Sequence, residues 1–376
     1  MQPGQRTTPM NKLVVGNILH RPVRSLISVF AVAIEVTMIL SIVAIMVGQI
    51  AGAAREASGI GANIIVRPSN ASFLSAVGGA PVPASVVDIL RKLPHVAVAS
   101  PVIAQFSMSG AVQTIYGIDY PSYEALRPFR FLAGGPFDGN PDYVMVDDLY
   151  ARSHHLKVGD TIQLLHHPFH VCGIVEHGKG GRVFLPIHTL GSLIGEPNNA
   201  SLFYIRTDTQ QNEQKVIQEI HSTPGLTTYQ VQTMRELMSL MTPEHFPGFN
   251  IALNVVIGIA IIVGFLVIFQ AMYTAVMERT REIGILKSLG SSKPYIVNVV
   301  LREAFLVSIA GIVAGMLLTL VLRYVVVWNF PTIPFNVTLI WRLKATGIAL
   351  IGAMLGALYP ALKAAGKDPI DALAYE

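Results

Sequence analysis

A chain of 376 residues that is 52% hydrophobic, only 13% charged and carries a formal net charge of +4 is too apolar to be wholly soluble, since soluble domains carry about 25% charged residues. No basic tract interleaved with aromatic residues occurs, which speaks against a nucleic-acid partner. The single cysteine, Cys172, excludes an intrachain disulfide and Cys-rich metal motifs.

In chain order, residues 1–25 form a basic, amphipathic cytosolic entry with Arg6, Lys12, Arg21 and Arg24 and no acidic residue among them. An apolar run at 26–50 follows. It is about twice the length of a signal-peptide core of roughly 7–15 residues, so it reads as a retained transmembrane helix. Residues 51–248 are polar and form an extracytoplasmic domain. A second span is expected at 249–273, a charged cytosolic segment at 274–295, a third span at 296–327, a short external loop at 328–344, a fourth span at 345–362 and a cytosolic tail at 363–376. Each apolar run approaches or exceeds the ~20 residues that a bilayer crossing needs. The fold class is therefore an α-helical membrane protein with four transmembrane helices plus an α+β extracytoplasmic domain between the first and second.

Lys and Arg set the orientation. They collect before the first span, between the second and third (Arg279, Arg281, Lys287, Lys293) and after the fourth (Lys363, Lys367). Both termini are then cytosolic and the large domain lies outside. Arg323, Arg342 and Lys344, at the third-to-fourth connection, dissent mildly, but long cationic side chains at span ends snorkel to the interface.

Within the large domain, strand-like runs occur at 63–67, 102–108, 114–117, 161–165, 169–175, 182–185 and 202–206, and helical candidates at 85–93, 148–155, 187–194 and 212–222. His166-His167-Pro168 separates two of the strands and predicts a hairpin. The Gly-rich stretches at 78–83 and 133–136 read as turns. The run 129–132 (FRFL) has two readings, a contact for a hydrophobic cargo or core.

Several constellations invite chemistry. The phosphate-cradling pattern GxxxxGK[ST] is absent. Residues 178–182 (GKGGR) have the wrong spacing and no hydroxyl after the lysine, so they read as a loop between strands. His154/His155 and His166/His167 are adjacent pairs whose side chains diverge, and no metal site is expected. No GxSxG or HExxH occurs, so no catalytic residue is assigned. Glu35 sits in the middle of the first span. An acid there costs about 2.5–3.5 kcal/mol on insertion scales, so it should face other helices, either as a proton relay or as an interhelical contact, to Thr37 or Thr319. Gly311/Gly315 and Gly352/Gly356 form GxxxG patterns that let helices approach closely, within one subunit or between two.

The segment 278–290 (ERTREIGILKSLG) is the most informative. Ile283, Leu286 and Gly290 recur at helical spacing among charges, directly between two spans. An amphipathic helix so placed would lie on the membrane or dock on a partner. Glu278, Arg279, Glu282, Ile283, Leu286 and Lys287 are the coupling candidates, the apolar pair anchoring and the charges orienting.

This segment resembles the coupling element of the FtsX/MacB-type ABC transporter permeases, whose pattern is roughly ERxREIGxLxAxG. Ser288 stands where Ala is usual. Residues 11–26 are similar to the family's N-terminal entry and 359–376 to its C-terminal ending, so the resemblance covers the whole chain. It implies a permease working by mechanotransmission: a separate cytosolic ABC-type ATPase, holding ATP and Mg, moves the coupling helix, and the motion reaches the outer domain. It also implies a second permease copy, as a homodimer or related heterodimer, a periplasmic adaptor or carrier, and the bacterial inner membrane. No cofactor is expected in this chain and no ATP hydrolysis by it. Substrate export or extraction, of a hydrophobic or lipidic cargo, is the leading function. An FtsX-like regulator of an outer enzyme and an ion-coupled secondary transporter are the alternatives. Glu35 is a departure, because family members often carry Gly near this position.

Overall fold

A computed structural model describes residues 22–69, 81–107, 113–242 and 248–367. The entry at 1–21, the turn at 78–80, the strand end at 108 and the tail from 368 onward lie outside the described residues. The chain divides into two compact units: a helical bundle, and a domain running from Gln49 that also takes in Asn329–Pro334.

Among the described residues, four helices are long and apolar enough to cross a membrane: α1 (Pro22–Gly59), α8 (Phe249–Glu278), α10 (Lys293–Asn329) and α11 (Leu339–Gly366). At 1.5 Å per residue the 38 residues of α1 extend well beyond the ~30 Å apolar core of a bilayer. Between α8 and α10 lies the short α9 (Thr280–Ser288).

Small residues build the bundle. Ala345, Ala349, Ala353, Ala357, Ala361 and Ala365 recur every four residues along α11 and are all buried, a stripe that admits a neighbouring backbone. A Cβ added at Gly356 would sit 2.6 Å from the Phe265 carbonyl oxygen of α8, whereas one at Gly352 would meet nothing closer than 3.8 Å. A Cβ at Gly311 would lie 2.6 Å from Val32 Cβ, and one at Gly315 2.7 Å from the Ala33 oxygen. Both GxxxG patterns therefore pack helices of one chain, α10 on α1 and α11 on α8. Val32, Val36, Ile39, Leu40 and Val43 supply the α1 side of this core.

The inserted domain is α+β. Its elements run β1 (Ile64–Arg67), β2 (Val82–Pro83), α2 (Val86–Leu90), β3 (Val96–Ser107), β4 (Gln113–Ile118), α3 (Tyr120–Leu126), β5 (Phe131–Gly134), β6 (Tyr143–Asp147), α4 (Asp148–Ser153), β7 (Thr161–Leu164), β8 (His167–Val175), β9 (Val183–Pro186), α5 (Ile187–Leu193), β10 (Asn199–Ala200), β11 (Leu202–Thr207), α6 (Glu213–Ser222), β12 (Gln230–Thr233) and α7 (Met234–Leu240). Among the described residues, ten strands make one mixed sheet in the order β12-β1-β11-β3-β4-β9-β6-β8-β5, with β7 paired to β8. The β4–β9 and β6–β8 pairs are parallel. The expected hairpin is present: β7 and β8 pair antiparallel from Leu164↔His167, across a loop of Leu165 and His166 whose φ values are 51° and 66°. Two left-handed residues suit the twist of a two-residue hairpin.

An aromatic cluster fills the centre of this domain. Phe129 meets Phe184 edge-on at 5.3 Å and stacks on Tyr123 at 5.8 Å. Each such ring contributes roughly 1.5–3 kcal/mol on burial. Phe129 thus belongs to the core, while Leu132 alone among the apolar residues of 129–132 is largely exposed. The GKGGR stretch is a connector between β8 and β9. Its Lys179 donates to the Arg127 carbonyl at 2.6 Å and lies over the Phe129 ring, and burial pushes its ammonium pKa down to about 8. Arg182 donates to the buried Asp147 carboxylate at 2.7 Å, and Asp147 in turn caps α4 by accepting from Tyr150 N.

Candidate functional site: the α8–α9–α10 junction

The junction forms because helix-breaking features bracket a short amphipathic run. α8 ends at Glu278 and α9 begins at Thr280, with Arg279 between them at φ −107° and ψ 18°. The Thr280 hydroxyl donates back to Met277 and Val276 carbonyls at 2.9 and 3.2 Å, which satisfies part of the orphaned end of α8. α9 stops at Gly290, whose φ is +90°. Gly290 N donates to Lys287 O at 2.9 Å and Ser291 N to Leu286 O at 3.0 Å, the paired bonds of a glycine-terminated helix. Gly290 is therefore a helix stop and not part of the apolar stripe.

The candidates divide between two faces of α9. Ile283 packs on the bundle core. Ile283, Leu286 and Arg279 line a cleft with Val299 of α10 and Met272 of α8, and the exposed Glu282 stands at its edge. Arg279 Nη1 donates to Glu303 Oε2 of α10 at 3.1 Å, with side chains 11% and 6% exposed. Lys287 Nζ donates to Ala365 O at 3.0 Å and also to Lys367 O, at the end of α11. A cation there also answers the negative end of the helix dipole.

The opposite face is exposed. Arg281, Glu282, Ile285, Ser288 and Leu289 are all exposed, at the i, i+1, i+4, i+7, i+8 spacing of one helix side, as is Glu278 at the end of α8. Leu289 is 79% exposed and Ile285 45%, an apolar pair rimmed by charge. Reading the sequence alone selects Ile283 and Leu286 and misses Ile285 and Leu289. The second stripe, three or four residues apart from Glu278 to Leu289, was available in the sequence as its signal.

The intramembrane candidate Glu35 is buried, 3% exposed, and its Oε1 has no hydrogen-bond partner. Neither expected threonine meets it. Thr37 donates to Ala33 O at 2.7 Å and Gly315 O at 3.1 Å, and Thr319 to Gly315 O at 2.7 Å. The backbone captures both hydroxyls because each finds a carbonyl one turn earlier in its own helix. Among the described residues no group of three or more His, Cys, Asp or Glu is placed to hold a metal. His167 pairs with Asp142 and His170 with Thr161 instead.

Four apolar helices, a mixed α+β domain after the first and a short amphipathic helix between the second and third define a membrane permease of the ABC-transporter type. Residues 25–223 match the MacB-like periplasmic core domain and residues 254–369 the FtsX-like permease C-terminal domain; the chain belongs to the MacB/FtsX-type permease family. It is 23% identical to the macrolide export ATP-binding/permease protein MacB of Acinetobacter baylyi over 95% of this chain and 58% of that protein. It is 26% identical to a probable syringafactin export ATP-binding/permease protein, SyfD, of Pseudomonas syringae over 96% of this chain and 59% of that one. The chain thus spans less than two thirds of the length of these relatives. Against the ABC transporter permease YknZ of Bacillus subtilis, identity is 24% over 97% of this chain and 98% of that protein. The periplasmic region of MacB from Actinobacillus actinomycetemcomitans matches 49% of this chain and 94% of that one, at 15% identity and a TM-score of 0.39.

Proposed function

We propose that this chain is the permease subunit of an ABC transporter in which a separate cytosolic ATPase drives the inserted domain, on the outer side, by mechanotransmission. The observation that carries this reading is the exposed face of α9, an apolar pair, Ile285 and Leu289, set among Glu278, Arg281 and Glu282. Such a patch, a small apolar centre with a charged rim, is what a protein partner covers. Lys and Arg around the span ends support cytosolic termini and an outer position for the inserted domain. The partner holds ATP and Mg. The permease itself acts in pairs, with a second copy or a related permease, and hydrolyses no ATP. Two relatives are named for export, of a macrolide and, as a probable role, of syringafactin, and this supports an export role, for which a hydrophobic or lipidic cargo is the reading proposed.

In a Cys172→Ser background, which removes the chain's own free thiol, cysteines placed at Ser69 and Ser292 test the arrangement. Both positions are exposed. An impermeant thiol reagent should label Ser69→Cys from outside intact cells, and Ser292→Cys only after permeabilisation. Labelling of both from the same side would overturn the topology and the function built on it.

A further inference from the structure

Resting on the reading of α9 as the coupling helix, we infer that Arg279 and Lys287 are positioning residues that clamp α9 to the two helices after it, α10 and α11, and are not docking groups. The two contacts sit at opposite ends of α9. At its start, Arg279 reaches Glu303 of α10 at 3.1 Å, and both side chains are largely withdrawn from solvent. At its end, Lys287 donates to Ala365 O and Lys367 O, closing on the terminus of α11.

Eight residues separate the two attachments, about 12 Å along a helix axis. A single attachment would let α9 swivel about it. Two, at this separation, fix both its position and its rotation, and so fix which face is presented outward. The link back to α8 is the chain itself, broken as a helix at Arg279 and bridged by the Thr280 hydroxyl. Load applied to Ile285 and Leu289 therefore enters the bundle through Glu303, ten residues into α10, and through the last turn of α11, in addition to the chain connection with α8. Removing Arg279 leaves the buried Glu303 carboxylate without this partner, which raises the cost of the loss; removing Lys287 leaves two part-buried carbonyls at the end of α11.

Hydrogen exchange on the full chain in lipid nanodiscs, alone and with an ABC-type ATPase, tests this. In Arg279→Gln and in Lys287→Met, amides of residues 280–288 should exchange about tenfold faster while α8 and α11 keep their protection. Lys287→Arg should restore protection. The reversed pair, Arg279→Glu with Glu303→Arg, should restore what Arg279→Gln loses, including in the event that Arg279→Gln opens the bundle as a whole. ATPase recovery should match the wild type, and stimulation of ATP hydrolysis by the permease should be lost. Wild-type exchange at 280–288 in both single variants would overturn the clamp, as would failure of the reversed pair to restore protection. Loss of ATPase recovery with 280–288 still protected would make Arg279 and Lys287 docking groups and also overturn it. If the wild-type chain recovers no ATPase, the coupling reading fails, and the exchange measurements still decide the clamp.

Discussion

Gly264 of α8 lies against the carboxyl group of Glu35 on α1, so close that a Cβ at Gly264 would fall on the carboxylate itself. The acid in the middle of α1 is thus accommodated by a glycine on the neighbouring helix. Gly264→Leu should overpack this contact and destabilise the bundle by about 1–3 kcal/mol, read as a lower thermal midpoint in detergent. Adding Glu35→Ala should recover part of the loss. Glu35→Gln should transport at the wild-type rate, because the contact is one of fit; abolished transport with normal insertion would instead mark Glu35 as a proton relay.

The four GxxxG glycines should not be equivalent. Alanine at Gly356, Gly311 or Gly315 meets backbone or a β-branched side chain within 3.0 Å, whereas alanine at Gly352 makes only an ordinary contact. Thermal unfolding should rank Gly352→Ala near wild type and each of the others lower, by about 1–3 kcal/mol. Equal effects at Gly352 and Gly356 would contradict the close approach of α11 to α8.

Ile283→Asp should damage the bundle and not selectively the partner interface. Its side chain packs on the core next to the α8–α10 cleft, and a carboxylate there has to be desolvated or to open the cleft. Limited proteolysis of the membrane-inserted variant should cut faster between α8 and α10. A variant as resistant as wild type would place Ile283 on the outer face.

Much of this architecture is legible in the sequence. The long apolar runs specify the helices, because a continuous run of that length satisfies its own backbone in lipid only as a helix. In the inserted domain the alternating or β-rich runs locate strands such as β8 and β11. β6 escapes notice because YVMVD is buried along nearly its whole length and shows no alternation, and β5 because Ala133 and Gly134 resemble a turn. The facing of α9 is not legible. Both of its stripes have helical spacing, and only the position of Glu303 on α10 and of the last carbonyls of α11 decides which one turns inward. Arg279 and Lys287 look like surface charges in the sequence for the same reason.

The central claim is tested most directly by recovery of an ABC-type ATPase on tagged permease carrying Leu289→Asp or Ile285→Asp. Interface energy concentrates in a few residues, worth about 2 kcal/mol or more each, and each 1.4 kcal/mol is about tenfold in affinity. Both variants should insert in the membrane and resist proteolysis like wild type, while ATPase recovery falls at least about tenfold. Undiminished recovery with both substitutions, together with normal transport, would contradict the assignment of α9 as the coupling element.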